Sequence, residues 1–167
     1  MARVRSPKGG LTPFDHVPQL WDAFNHYYGT LWSDGVVDDP TKEVGRLRNA
    51  RVTGCGICKN LRFASAREQG LEEQHVDLIV DGYADSELPS RWKLAARLAD
   101  ALIADARVDG QLRAALLAAF TDAEIVELTA TIATAIAFSK ASVAFGAPDE
   151  MPLVVVPTPQ IDGDVVR

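Results

Sequence analysis

Apolar residues in this chain return every three or four positions, and no segment sustains the apolar–polar alternation of a half-buried strand. That single feature confines the fold to packed helices, because a stripe at that spacing has one buried face only when the backbone turns every 3.6 residues. Val17 to Trp32 carries Leu20, Phe24, Tyr27, Tyr28 and Leu31 on such a stripe, and Ser33, Asp34 and Gly35 end it. Asp39-Pro40 then reads as a cap followed by proline at the first helical position, opening a helix from Thr41 to Thr53. Gly54 interrupts, and a third helix is expected to run to Gly70, a residue suited to a left-handed terminator. A short helix follows from Leu71 to Val80. Ser90 begins an alanine- and leucine-rich helix to near Arg107, and Asp109 starts another to Phe120. Thr121 and Glu124 are spaced as a capping box for a helix from Asp122 to Phe145. Its middle is apolar around most of its girth, so it is expected to be buried on several sides, centrally or at a subunit contact. The expectation is an all-α domain of about seven helices.

Prolines set the boundaries of that domain. Pro7 and Pro13, with Gly9 and Gly10, mark residues 1–13 as a flexible arm. Pro148, Pro152, Pro157 and Pro159 make residues 148–167 an extended tail, since prolines that frequent forbid a helix. Residues 14–147 are the helical domain. The apolar run Leu153 to Val156 is expected to lie against another surface, such as a neighbouring subunit. At 167 residues, one hydrophobic core suffices without staples.

Charge excludes some partners. Seventeen basic and 23 acidic residues leave a net charge of −6, which repels a phosphate backbone unless basic residues are segregated. Arg46, Arg48 and Arg51 are the densest basic stretch, too small for a nucleic-acid surface, and read as a solvated helix face. The most apolar run, Leu128 to Ser139, is shorter than the ~20 residues that span a bilayer. With a polar, basic first ten residues in place of a signal segment, a cytoplasmic protein with no membrane partner is expected.

The chemistry lies in Thr53-Gly-Cys55-Gly-Ile-Cys58-Lys59. Two cysteines three apart at a helix start can close a small disulfide ring. The helix amino terminus favours thiolate. Lowering a thiol pKa from ~8.5 to ~6.5 raises the thiolate fraction at pH 7 from about 3% to about 75%, and the thiolate is the species that attacks peroxides and disulfides. Zinc binding is an alternative, disfavoured because a zinc site wants four ligands and only one pair is present. Inert packing is another, and the flanking Gly54 and Gly56 argue against it.

Glu43, eleven intervening residues, Cys55, two residues and Cys58, followed by Ala64-Ser-Ala-Arg-Glu-Gln-Gly70, resembles the core of the carboxymuconolactone decarboxylase family. More narrowly it resembles that family's alkylhydroperoxidase AhpD-like branch. The likeness extends over about residues 20 to 147, including the alanine-rich helix from Ser90 and the segment Phe120 to Thr129. The resemblance implies an all-helical fold and thiol-dependent reduction of hydroperoxides. Cys58 would be the peroxidatic cysteine, Cys55 its resolving partner, and Glu43 the acid of a proton relay. General thiol logic alone would favour the first cysteine as attacker. A dithiol reductant, such as a lipoyl-bearing or thioredoxin-like protein, would reset the site, and no cofactor is implied. Family members assemble as dimers, trimers or hexamers, so a homo-oligomer is expected.

One position departs from the pattern. The family has histidine where this chain has Arg62. Cys58 and Arg62 are four residues apart on the expected third helix, so they share a helix face. Arginine cannot take the thiol proton at neutral pH, though it can stabilise a thiolate or bind an anion or a peroxide oxygen. The base would then be Glu43, water, or one of His16, His26 and His75. The substitution also motivates a second hypothesis, a redox-responsive or scaffold protein without turnover. Lactone decarboxylation, which does not depend on a cysteine pair in that family, is a third. Trp21, Phe24, Tyr27 and Trp32 are candidates for pocket or core.

Overall fold

The fold is described from a computed structural model, which defines residues 4–10 and 12–161. Parts of the expected arm (1–3 and 11) and tail (162–167) lie outside the described residues. Among the described residues eight α-helices run in order: α1 Pro18–Ser33, α2 Asp39–Thr53, α3 Gly56–Asn60, α4 Ala64–Glu68, α5 Glu73–Asp77, α6 Ser90–Ala104, α7 Gly110–Ala119 and α8 Asp122–Phe145. A 3-10 turn, Pro13–His16, precedes α1. A second 3-10 turn, Tyr83–Asp85, lies between α5 and α6, and two short strands, β1 Leu61–Phe63 and β2 Val154–Val156, complete the elements among the described residues. The all-α expectation holds.

The centre of the molecule is α2, its most polar long helix. Every residue from Asp39 to Ala50 is buried. This corrects the expectation that its arginines form a solvated face, since Arg46 and Arg48 are 5% and 8% exposed. Burying charge is costly unless each charge is paired, and here each is. Lys42 Nζ sits 2.9 Å from Asp39 and 3.5 Å from Glu127 of α8. Arg48 bonds Asp100 of α6 at 2.6 Å and Asp81 at 2.8 Å. Asn49 donates to Ser139 of α8 at 2.9 Å. The apolar remainder of α2, Val44 and Leu47, joins Ala66, Leu71, Val76, Ile79 and Ala96 in one core cluster. Asp38, not Asp39, caps the helix, accepting from Thr41 N at 2.9 Å, and Pro40 occupies the second helical position.

Around α2 stand α6 and α8. A second core cluster joins Ala95, Leu98 and Ala99 of α6 to Leu112 and Leu116 of α7 and to Leu128 and Ile132 of α8. Gly45 lets α2 and α8 approach closely, since a Cβ there would meet Ile132 at 2.8 Å. Within the single chain α8 is not central and buries one face only, which leaves the subunit-contact alternative of the expectation as it was. Its buried residues, Leu128, Thr131, Ile132, Ala135 and Ser139, form one stripe, while Val126 and Val143 are exposed. At 24 residues α8 is long and apolar enough by length and composition to cross a membrane, a reach that the run Leu128–Ser139 understates. The capping box read from Thr121 and Glu124 is present, with Thr121 N donating to Glu124 at 2.7 Å.

The expected third helix breaks in two. The chain leaves α3 at Leu61 in extended conformation, runs as β1 to Phe63, and only then re-enters helix as α4, which Gly70 follows with φ 99°. The cause is the tail. Val154–Val156 pairs in parallel with β1, Leu61 opposite Val154, Arg62 opposite Val155 and Phe63 opposite Val156. Three successive valines suit a pleated strand, and the prolines on both sides prevent helix. Ser65 N donates to Thr158 Oγ1 at 3.0 Å, fixing the strap beyond the strand. The tail therefore covers a surface of its own chain.

Candidate functional site

Gly54 closes α2 in the left-handed region, φ 70°, and so turns the chain sharply into the cysteine loop. Cys55 is the N-cap of α3, and its sulfur accepts from Cys58 N at 3.2 Å. The two cysteines are joined as a disulfide, with Cα atoms 5.3 Å apart. Cys55 is wholly buried. Cys58 is half-buried and forms part of the wall of a cavity of about 1000 Å³.

That cavity is aromatic. Phe14, Trp21, Phe24, Tyr28, Phe138 and Phe145 line it, with Arg46, Ser139 and Ser142 among the polar groups. The rings stack on one another: Phe24 and Phe138 at 3.9 Å between centroids, Phe14 and Phe138 at 4.8 Å, Phe24 and Tyr28 at 5.0 Å. Two of the aromatics singled out from the sequence, Trp21 and Phe24, therefore reach the cavity. Trp32 is core, and Tyr27 is exposed. The segment before α1 contributes Val4, Arg5, Ser6, Thr12 and Pro13 to the lining. The loop after α8 contributes Gly146 to Pro148 and packs on the cysteine loop, where a Cβ on Gly56 would overlap the backbone of Pro148 and Asp149.

Glu43 is fully buried beneath this wall. The resemblance casts it as the acid of a proton relay. Arg46 Nε and Nη2 each donate to its carboxylate at 2.7 Å, and Phe63 N donates to the same group at 3.3 Å. Arg46 carries the connection onward. Its Nη1 donates to Cys58 O at 2.8 Å and its Nη2 to Leu61 O at 2.6 Å. Burial works to lower the Arg46 pKa, but the charge and hydrogen bonds of Glu43 outweigh it, leaving the group above its ordinary value. Tyr28 nearby is pushed up to about 12 by burial, against the lowering effect of Arg46, so its phenol stays protonated at neutral pH.

Arg62 lies elsewhere. Because α3 ends at Asn60, Arg62 sits on β1, and the shared helix face with Cys58 does not form. Its side chain is not part of the cavity lining. It forks onto Glu73 of α5, at 3.1 and 3.0 Å, and donates to Lys59 O at 2.6 Å and Leu61 O at 3.1 Å. None of the three histidines is itself in the lining: His16 bonds Arg5 O at 2.9 Å and so stands directly behind a lining residue, His26 is exposed, and His75 packs edge-on against Trp92. Sequence reasoning missed Arg46 as a site residue. Its only signal was position, three after Glu43 on one helix, where an acid and a base can pair.

No family model matches this chain. An uncharacterized protein of Mycobacterium tuberculosis, in strain CDC 1551 and in strain H37Rv, is 34% identical over 140 residues. The match covers 83% of this chain and 49% of each relative, so the chain spans about half the length of the curated relatives it matches. Among solved structures, one from Agrobacterium tumefaciens is a protein of unknown function described as a candidate antioxidant defence protein, AhpD. It is similar with a TM-score of 0.69 and 21% identity, over 83% of this chain and 97% of that one. That likeness establishes the fold, which is AhpD-like.

Proposed function

We propose that this protein reduces organic hydroperoxides through its cysteine pair, with Cys58 as the attacking sulfur and Cys55 as the resolving one. The observation that carries the proposal is the position of the pair: one sulfur is sealed in the core, and its disulfide partner belongs to the wall of a large aromatic cavity. The volume suits an organic body, since small-molecule sites occupy roughly 300–1,000 Å³. The antioxidant description of the structural neighbour from Agrobacterium tumefaciens agrees with this chemistry.

The cycle begins when the Cys58 thiolate attacks the outer peroxide oxygen. The O–O bond breaks, Cys58 becomes a sulfenic acid, and the alkoxide takes a proton to leave as an alcohol. The Cys55 thiol then displaces hydroxide from the Cys58 sulfur, which forms the disulfide and, with the thiol's proton, water. An external dithiol, lipoyl-bearing or on a thioredoxin-like protein, is oxidised as it returns both cysteines to thiols. Arg62 has no part in these steps. Glu43 acts through Arg46 and does not touch sulfur.

The test is peroxide consumption with excess dithiol. Cys58→Ser should abolish turnover. Cys55→Ser should trap about one equivalent of sulfenic acid, detectable with dimedone. Full turnover in the double cysteine variant overturns the proposal. The absence of Arg62 and of any histidine from the cavity lining favours one second reading, a slow redox-responsive protein. It predicts stoichiometric oxidation of the thiols by peroxide without turnover.

A further inference from the structure

We propose that Arg46 is the positioning residue of the cysteine pair, holding the Cys58 loop in its reactive shape and favouring the thiolate of Cys58 once the disulfide opens. The inference rests on the reading of the pair as redox-active, and it concerns a residue no sequence motif singled out.

Three observations carry it. First, Arg46 holds both ends of one short turn, donating to Cys58 O at 2.8 Å and Leu61 O at 2.6 Å. Opening a disulfide removes the covalent bond that shapes the loop between Gly54 and Leu61. Bonds to the Cys58 and Leu61 carbonyls survive that step, so the sulfurs stay close enough to recombine. Second, the guanidinium cannot drift. Nε and Nη2 are held on Glu43, the plane lies over Phe63 with its central carbon 5.2 Å from the ring, and the residue is 5% exposed. Third, the ion pair is oriented. The carboxylate is anchored on Phe63 N, whereas Nη1 points to the Cys58 backbone. A buried pair screened by little water presents its positive end to that residue, and a positive end favours thiolate over thiol.

The other groups around the site do not duplicate this role. From α1 the cavity wall carries Tyr28, a phenol held neutral. The segment before α1 carries Arg5, which is solvent-exposed, and Lys59 neighbours Cys58 in α3. From α8 come Ser139 and Ser142, which are uncharged. Asp149, after α8, meets the cysteine loop at Gly56 with its backbone. Arginine also differs from a histidine in kind. It stays charged across the working pH range, so it sets the thiol's acidity without exchanging the proton.

The experiment uses the full chain, reduced and freed of reductant, and follows the rate of Cys58 alkylation by iodoacetamide against pH, with peptide mass spectrometry to assign the site. Arg46→Met should raise the midpoint by about one pH unit, a roughly tenfold loss of thiolate below it. Arg46→Lys keeps the charge and should recover most of that loss. Glu43→Gln with Arg46→Met removes the stranded carboxylate and should titrate like Arg46→Met. Equilibration with a dithiothreitol redox buffer is a second readout, in which Arg46→Met should be harder to reduce. Wild-type midpoints and potentials in folded Arg46→Met overturn the proposal. So does failure of both neutral variants to fold by circular dichroism, which would make Arg46 a residue of folding only. Absence of peroxide turnover in the wild type would overturn the proposed function while leaving the thiol titration to decide this inference.

Discussion

Restoring histidine at position 62 is the substitution that the sequence pattern recommends, and the structure predicts that it fails. Arg62 has a side chain only 5% exposed, and it serves as a clamp between β1, α5 and the end of α3. Its fork on Glu73 is made to a carboxylate 38% exposed, so solvent screening holds that pair to about 1 kcal/mol or less. Its bond to Lys59 O is shorter, at 2.6 Å, and leaving that part-buried carbonyl without its donor costs about 1–3 kcal/mol, whereas Leu61 O keeps its bond from Arg46. Histidine is too short to span both partners. Arg62→His should therefore destabilise the protein by about 1–4 kcal/mol, lowering Tm by roughly 2–15 °C for a chain of this size. Peroxide turnover with a dithiol should stay level or fall, because the side chain at position 62, unlike its strand neighbours Leu61 and Phe63, is not part of the cavity lining. The assay pairs a thermal melt with initial rates on the same preparation. A several-fold gain in turnover with Tm held within about 1 °C would refute the reasoning, and would mean that residue 62 faces the sulfurs in the reduced protein.

Other perturbations read other parts of the site. Gly56→Ala places a methyl against the backbone of Pro148 and Asp149, which cannot yield as a side chain tip would, so a loss of about 1–3 kcal/mol is expected in a urea melt. An unchanged melt would mean that the loop after α8 does not rest on the cysteines. Stability should also depend on Glu124, whose pKa is held at about 2, against an ordinary 4.5, first by the Thr121 backbone N–H and then by Arg91. A depressed carboxylate contributes above its unfolded pKa and loses that contribution as protons bind. Stability should then fall as pH drops from about 4.5 toward about 2, and less steeply in Glu124→Gln; identical acid profiles would exclude the effect. Cys58→Ser should remove peroxide turnover altogether, as measured by residual peroxide.

Local signals were legible and distant ones were not. The helix α8 announced its start through Thr121 and Glu124, and Asp109 capped α7 where the sequence placed it, because a cap is a bond between near neighbours. The burial of α2 could not be read, because Arg48 is neutralised by Asp81 and Asp100 and Lys42 in part by Glu127, 33 to 85 residues away in the chain, while the local pairs Asp39–Lys42 and Glu43–Arg46 look the same on an exposed helix face. Read alone, Lys42, Arg46 and Arg48 belong on a surface. Strand β1 was hidden for the same reason: Leu61-Arg-Phe63 has no pattern of its own and becomes a strand through pairing with Val154–Val156. The cysteine pair was legible as a pair. Its cavity was legible only in part, since Trp21 and Phe24 came from the expected helix, while Phe14, Phe138 and Phe145 are assembled from opposite ends of the chain.

The break after α3 and the arginine at position 62 are best understood as one feature. On an uninterrupted helix residue 62 would sit one turn beyond Cys58, bringing a second permanent cation to the face of the helix that carries the sulfur. The strand avoids that placement by turning Arg62 outward to Glu73, yet its Nη1 still reaches back to Leu61 O. That oxygen accepts from Arg46 as well. The turn that follows the sulfurs is thus gripped from the core by one arginine and from the outer side by another, with Cys58 O and Lys59 O as the separate holds. The two grips share an acceptor, so they are coupled. Loss of Arg62 should lower stability and loosen the turn that Arg46 holds, and the combined loss should differ from the sum of the single losses by about 0.5 kcal/mol or more in a double-mutant cycle. Strict additivity would mean that the two arginines act on separate structures.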